Sequence, residues 1–336
     1  MALSNRFVSM LTSPAVVATM GSAVVLGLPL LESVLVSSTV ATGILKAANV
    51  TAFALNCAAV SVPGRIDGLP DEEMRRGNMN PTPQDNEAPP LPEPLVHDDT
   101  NSSVYTVART RTLLRPAGWA FSVWAPIYLG EAIFCTAQLV LSDTSALVSI
   151  LPQVTAPFVA ANICQSLWCA SFRPSYNESG CYGWHKYISV AMLAGTAYAL
   201  SHVQAVAISS EAAAAHWYFL PLTIHFGWAT AATLVNLNGS LAQDSAVTNA
   251  TVIAVGKMSA VAAAALGVGV TVLQSTPFYG LTVAWALLAC ASQISQKIAQ
   301  NSQQDDDMQK AAAVQKMLCG LGSTTCLAVS LFTIVV

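Results

Sequence analysis

Nine stretches of about 20 mostly apolar residues recur along the chain, and this repetition limits what the chain can fold into. They lie at 15–36, 44–62, 118–141, 147–171, 187–208, 216–238, 250–273, 277–294 and 316–336. Only 10% of the 336 residues are charged, whereas soluble domains carry about 25%. The pattern predicts an all-α, polytopic transmembrane helical bundle with eight or nine spanning helices in a lipid bilayer. It excludes an ordinary soluble enzyme and a nucleic-acid-binding protein.

The first apolar stretch, 15–36, leaves the helix count open between eight and nine. It contains Pro29 and Glu32, which are unusual inside a spanning helix. Arg6 precedes its apolar core, an arrangement that also occurs in targeting segments. The stretch is therefore either an extra membrane helix or part of a targeting segment.

Charge is concentrated in the segment 63–115, which holds 15 of the 32 charged residues. Six prolines lie between positions 81 and 94. Such a composition cannot bury enough apolar surface to offset the entropy of ordering. We therefore divide the chain into four parts. They are an N-terminal segment 1–43, a membrane helix 44–62, a Pro/acid-rich flexible linker 63–115 and a helical membrane core 116–336.

Lysine and arginine are distributed unequally between the two sides of the predicted bundle. We name the side that holds 63–115 the linker side. The opposite loops 142–146, 209–215 and 274–276 contain no Lys or Arg, and Lys46 is the exception. The positive-inside rule therefore makes the linker side cytoplasmic, or its organellar equivalent, in an integral multi-pass protein. The rule gives the orientation but does not name the membrane.

The sequence offers no motif for catalysis or for metal binding. Seven of the eight cysteines lie in apolar segments, and there is no C-x-x-C pair. The five histidines form no i, i+4 pair with a third ligand. We therefore predict a protein that is not an enzyme, with no catalytic residue and no metal site.

The segment 118–141 carries an aromatic stripe that ends in an acid. Its members are Phe121, Trp124, Tyr128 and Glu131. Their spacing of 3, 4 and 3 places them on one helical face. Pro126, inside the predicted helix, would free a backbone carbonyl near position 122. The stripe indicates either a pocket for a flat apolar ligand or an ordinary helix–helix interface.

Two other segments carry similar stripes that combine a tryptophan with polar side chains. These are His225, Trp228 and Asn236 in one segment, and Asn162, Gln165 and Trp168 in the other. Polar groups at membrane depth usually face the protein interior. The three stripes could line one shared cavity or hydrogen-bond to one another as packing contacts.

Three motifs resemble the tryptophan-rich sensory protein/translocator protein (TspO/MBR) family, in its longer and divergent branch. The first is Pro116-Ala-Gly-Trp-Ala-Phe-Ser-Val-Trp124 followed by Ile-Tyr128. The second is Phe226-Gly-Trp-Ala-Thr-Ala-Ala-Thr-Leu-Val-Asn236, and the third runs from Asn162 to Trp168 with Gln165 between them. The resemblance covers roughly residues 44–336.

The resemblance implies a five-helix core, here 118–141 through 250–273, that encloses a ligand cavity. Relatives bind porphyrins and, in animals, cholesterol. The matching positions near the cavity would be Trp124, Tyr128, Trp168, Trp228 and Asn236. Pro126 and the additional helices depart from the family pattern.

We therefore expect a multi-pass membrane protein that binds, and could transport, a flat hydrophobic ligand such as a tetrapyrrole or a sterol-like lipid. Aromatic side chains would stack on the ligand, and Glu131 or His225 would meet its polar edge. The sequence implies no cofactor, and a porphyrin or another tetrapyrrole is expected only as the ligand. One alternative is a non-catalytic structural subunit, partnered in a homo-oligomer or a membrane complex. Another is a proton-coupled carrier that uses Glu131 with His202 or His225.

The charge asymmetry predicts that a protease added on the cytoplasmic side cleaves within 63–115 and leaves a C-terminal tag protected. The sequons at Asn101 and Asn177 should then carry no glycan, because they face away from the glycosylation machinery. Immunoblotting of sealed membrane vesicles, with and without detergent, measures the protection. A glycosidase-sensitive shift that traces to either asparagine would reverse the orientation.

Overall fold

Nine long helices make up the described part of this computed structural model, which covers residues 10–61, 111–173, 176, 183–300 and 306–335. In chain order they are α1 (Pro14–Ser37), α2 (Thr42–Ser61), α3 (Trp124–Val140), α4 (Leu151–Ser171), α5 (Ile188–Ala207), α6 (His216–Gln243), α7 (Asn249–Gln274), α8 (Pro277–Gln300) and α9 (Asp306–Val335). Shorter helical turns at Gly118–Val123, Ala146–Ser149, His185–Tyr187 and Ser210–Ala215 lead into α3, α4, α5 and α6. No strand occurs among these residues. The predicted all-α class is confirmed.

Eight of these helices are long and apolar enough to cross a bilayer, which makes the chain an integral multi-pass membrane protein. The remaining long helix, α4, is not among the eight. It is instead the most enclosed, with 15 of its 21 residues buried by its neighbours. A helix surrounded by protein needs less apolar surface than one that faces lipid, and this explains its composition.

Helix α1 packs against α4 and α5 as part of the bundle. Glu32, the acidic residue of α1, is paired with His202 on α5. The Nδ1 atom of His202 lies 2.9 Å from a carboxylate oxygen of Glu32. Pro29 lies within the helix without ending it. This packing favours the membrane-helix interpretation of the first apolar stretch.

Helix α6 connects the two halves of the bundle. On one side α1, α2, α4 and α5 pack together, and on the other side α7, α8 and α9 do. Helix α6 contacts α3, α5, α7 and α8. Side chains from α6 therefore reach most of the interior, including the region between α3 and α5.

Ion pairs at the two ends of the bundle fit the alternating direction of the helices. Lys46, near the start of α2, pairs with Asp143 in the loop after α3 at 2.8 Å. At the other end Lys186, just before α5, pairs with Asp244, just after α6, at 3.1 Å. The predicted linker runs to residue 115, but residues 111–115 pack against the bundle. The rest of that segment lies outside the described residues.

Pro126 lies in the first turn of α3, which begins at Trp124 directly after the 3₁₀ turn Gly118–Val123. Proline is tolerated in the first turn of a helix. The freed carbonyl near position 122 stays a prediction.

Gly130 on α3 faces the ring of Pro221 on α6 with no room for a side chain. A Cβ atom added at Gly130 would lie 2.0 Å from the Cγ of that proline ring. We expect Gly130→Ala to lower the free energy of unfolding by about 1–3 kcal/mol, because the rigid ring must move to relieve the overlap. The midpoint of thermal unfolding in detergent measures this.

Gly269→Ala on α7 is the matched control, since an added Cβ atom there meets nothing within 4 Å. It should leave the unfolding midpoint unchanged or raise it slightly, because alanine is the better helix former. Equal midpoints for the two variants would show that α3 and α6 do not pack as closely as described.

Candidate functional site

A cavity of about 180 Å³ lies between α3, α4, α5, α6 and α8 at the linker-side end of the bundle. Most of its lining is apolar or aromatic, with polar side chains toward the helix ends. Five of the residues predicted from the sequence line it: Phe121, Trp124, Trp168, Trp228 and Asn236. The three stripes thus converge on one space.

One wall of the cavity is an aromatic cluster formed by α3, the turn before it and α6. The ring of Trp228 lies 5.8 Å from Phe121 and 6.1 Å from Trp124, both in edge-to-face orientation. Tyr128 extends the cluster, 5.5 Å from Trp124. These contacts hold each ring by its neighbours, so the wall is rigid before any ligand arrives.

A second aromatic wall comes from the end of α4. The rings of Trp168 and Phe172 are stacked, with centroids 5.0 Å apart and planes 20° apart. Both line the cavity. Aromatic surfaces from α4 and from the α3–α6 pair therefore border the same space, which suits a flat molecule.

The mouth of the cavity carries two cations. Arg115 and Lys186 both belong to its lining. The ammonium of Lys186 is held 3.1 Å from Asp244, which also accepts a hydrogen bond from the hydroxyl of Tyr187. Burial opposes the charged carboxylate, but the bonds from Lys186, from the Ala246 N–H and from Tyr187 outweigh it and lower the pKa of Asp244. The carboxylate therefore stays charged at neutral pH and fixes the lysine at the mouth.

Asn236 is a polar residue of the cavity lining. The residue is only 7% exposed, and its Nδ2 atom is buried with no hydrogen-bond partner among the described residues. A buried amide without a partner is costly.

Glu131 and His225 lie behind the aromatic wall and outside the cavity lining. They contact each other, with 2.6 Å between the Nδ1 atom of His225 and a carboxylate oxygen of Glu131. Glu131 is fully buried and His225 nearly so. The centroid of the His225 imidazole lies 5.5 Å from the centroid of the Trp124 indole ring. The pair therefore supports the wall and does not face the space inside.

Asn162 and Gln165 on α4 are also buried but belong to helix packing. The amide of Asn56 donates to the side-chain oxygen of Asn162 at 3.1 Å, which ties α2 to α4. Neither polar atom of Gln165 has a hydrogen-bond partner in the described part of the chain. Three further residues that the sequence predicted for the site do not line the cavity: Tyr128, Asn162 and Gln165.

The helices that enclose the cavity differ by one from the five implied by the resemblance. Helix α7 contributes no lining residue, whereas α8 contributes Ala286. Arg115 and Lys186 also line the cavity but were not predicted as site residues from the sequence. A signal existed for the two cations, because each directly precedes an apolar segment on the linker side.

Comparison with known proteins gives one match. The sequence model of a family described as TSPO-like protein matches residues 96–319, about two thirds of the chain. This range includes all of α3 to α8 and therefore every helix that lines the cavity. Neither the curated proteins nor the solved structures gave a match.

Proposed function

The chain belongs to the TSPO-like protein family, and on that premise we propose that it binds a flat, largely apolar molecule with an acidic edge in the linker-side cavity. One observation supports this proposal more strongly than any other. Two aromatic walls border a cavity whose mouth holds two cations. The protein acts as a binder, and not as an enzyme.

Aromatic stacking supplies the main attraction. Trp124 and Trp228 on one wall and Trp168 on the other line the same space. Each aromatic pair contributes about 0.5–1.5 kcal/mol beyond the burial of its surface area. A planar conjugated ring can make such contacts on both of its faces, and an aliphatic chain cannot.

The charges at the mouth favour a ligand that carries carboxylates. Arg115 and Lys186 lie near the linker-side ends of the helices, where lipid headgroups meet water. A carboxylate there keeps part of its hydration while it pairs with the two cations. Among the expected ligands this favours a tetrapyrrole with acidic side chains over a sterol, which offers only a hydroxyl group.

The size of the cavity indicates how such a ring would sit. Its volume of about 180 Å³ is below the 300–1,000 Å³ that is typical of ligand pockets. It therefore takes one edge of a tetrapyrrole, and the rest of the ring extends through the mouth toward the headgroups. Phe121, 38% exposed, and Arg115 border that exit.

Substitution of either tryptophan of the α3–α6 wall tests the stacking. Trp124→Ala or Trp228→Ala should weaken porphyrin binding by about 1–3 kcal/mol, because each removes a large aromatic contact. Quenching of tryptophan fluorescence during titration with a dicarboxylate porphyrin measures the affinity.

Trp217→Ala is the control for those two variants. Trp217 is 77% exposed at the start of α6, away from the cavity lining, so its loss should leave affinity unchanged. An equal loss in all three variants would indicate a general effect on folding. Failure of the intact protein to quench saturably would favour the structural-subunit function instead.

The cations at the mouth can be tested by changing the ligand. Lys186→Gln should weaken binding of the dicarboxylate porphyrin several-fold, because a charge-assisted bond contributes about 1.5–3 kcal/mol and part of that remains with Arg115. The same variant should bind the dimethyl ester of that porphyrin as the unsubstituted protein does. A similar loss for the acid and for the ester would exclude recognition of the acidic edge.

A further inference from the structure

Glu131 and His225 form the more deeply buried of the two histidine–glutamate pairs in the described part of the chain. Glu131 is 0% and His225 2% exposed. Only one carboxylate oxygen of Glu131 contacts His225, at 2.6 Å from its Nδ1 atom. The second oxygen and the Nε2 atom have no hydrogen-bond partner among the described residues. The pair therefore holds two further buried atoms that can accept a proton.

The charge of the pair depends on one proton. When Nδ1–H donates to an ionised Glu131, a neutral His225 leaves Nε2 with its lone pair, and the pair carries a net charge of −1. A proton that binds Nε2 forms an N–H bond, and the pair becomes neutral. An uncompensated charge at membrane depth is expensive.

Few other charged groups act on the pair. In the described region no Lys or Arg forms an ion pair with Glu131. The helices packed against α3 and α6 also carry titratable groups, among them Lys46, Cys57, Tyr198, His202, Lys257, Tyr279 and Cys290. Helix α3 itself carries Tyr128 and Cys135, and α6 carries His216 and Tyr218. His202 is already paired with Glu32 between α5 and α1.

A line of buried polar side chains leads from the pair toward the side opposite the cavity mouth. Cys135 and Gln138 follow Glu131 on the same face of α3, and the amide of Asn49 donates to Gln138 at 2.8 Å and to Thr155 at 3.2 Å. The Nε2 atom of Gln138 and the Oδ1 atom of Asn49 have no protein partner among the described residues.

Trp124 connects the pair to the cavity. Its ring lies 5.5 Å from the imidazole of His225, within the range of a cation–π contact, and it also lines the cavity. A protonated His225 would attract this ring and, through the wall, an anionic ligand. Because coupling between two sites is reciprocal, the bound anion would raise the affinity of the pair for its proton.

From this arrangement we infer that the Glu131–His225 pair binds one proton when the cavity binds its acidic ligand, so that binding is coupled to proton uptake. The inference rests on the proposed function for the identity of the ligand. Such coupling is what a proton-driven carrier requires, and it gives Glu131 a role beyond the packing of α3 on α6.

The first test follows ligand affinity against pH with the full chain in lipid nanodiscs. Between about pH 6 and pH 8 histidine titrates while the porphyrin carboxylates remain ionised. The dissociation constant for the dicarboxylate porphyrin should rise with pH by up to about tenfold per unit, the limit for one coupled proton. Glu131→Gln and His225→Asn, which keep polar side chains of similar shape, should each abolish this dependence.

His202→Gln is the matched control. It breaks the other histidine–glutamate pair, which joins α1 to α5. Neither residue of that pair belongs to the cavity lining. This variant should retain the full pH dependence. Binding that is independent of pH in the unsubstituted protein, or a dependence lost only in the control, would overturn the coupling and leave the proposed function intact.

A second test needs no ligand. Infrared difference spectra of the protein in nanodiscs, recorded on acidification over the same pH range, should show a change in carboxyl or imidazole bands that disappears in Glu131→Gln and persists in His202→Gln. If porphyrin does not bind at any pH, the proposed function fails, and this spectrum still decides whether the pair takes up a proton. Absence of any band that depends on Glu131 would overturn the inference.

Discussion

Hydrogen bonds between helices at membrane depth hold this bundle in register. In hydrocarbon a polar group that its own helix leaves unsatisfied needs a partner on another helix, and this restricts how the helices can slide or rotate. Asn49 bonds across to Gln138 and Thr155, and Asn238 on α6 donates to Ser259 on α7 at 2.9 Å. Each bond fixes the position of one helix along the axis of its neighbour. Together these bonds position the aromatic rings that line the cavity.

The cavity exists because α6 connects the two halves of the bundle and carries tryptophan and small residues toward its linker-side end. Trp228 stands against Trp124, while Ala231, Ala232 and Gly239 leave space farther along the same helix. Where the side chains are larger, as at Phe219 and Phe134, the interior is filled and the rings are 5.8 Å apart. The position of the site therefore follows from the sizes of the side chains along α6.

Glu131, the acidic residue of α3, lies outside the cavity lining. The sequence had predicted that Glu131 or His225 would meet the polar edge of a ligand. Glu131 lies on the same helical face as Trp124, and that fact alone would place it in the pocket. In the structure the imidazole of His225 contacts its carboxylate, and the two residues lie behind the aromatic wall. The cations in the cavity lining are Arg115 and Lys186. Under the proposed function, the acidic edge of a ligand would meet these cations and not the buried pair.

The sequence by itself determined the helices, their directions and the three stripes, because apolar length, charge asymmetry and helical spacing are local properties. It also gave the family through motifs around Trp124 and Trp228. Only the tertiary structure decided which polar residues pair with each other and which face the cavity, since partners such as Glu131 and His225 are 94 residues apart. The replacement of α7 by α8 in the cavity lining was likewise beyond the sequence. It depends on how α6 rotates to pack against four neighbours at once, and no single segment encodes that.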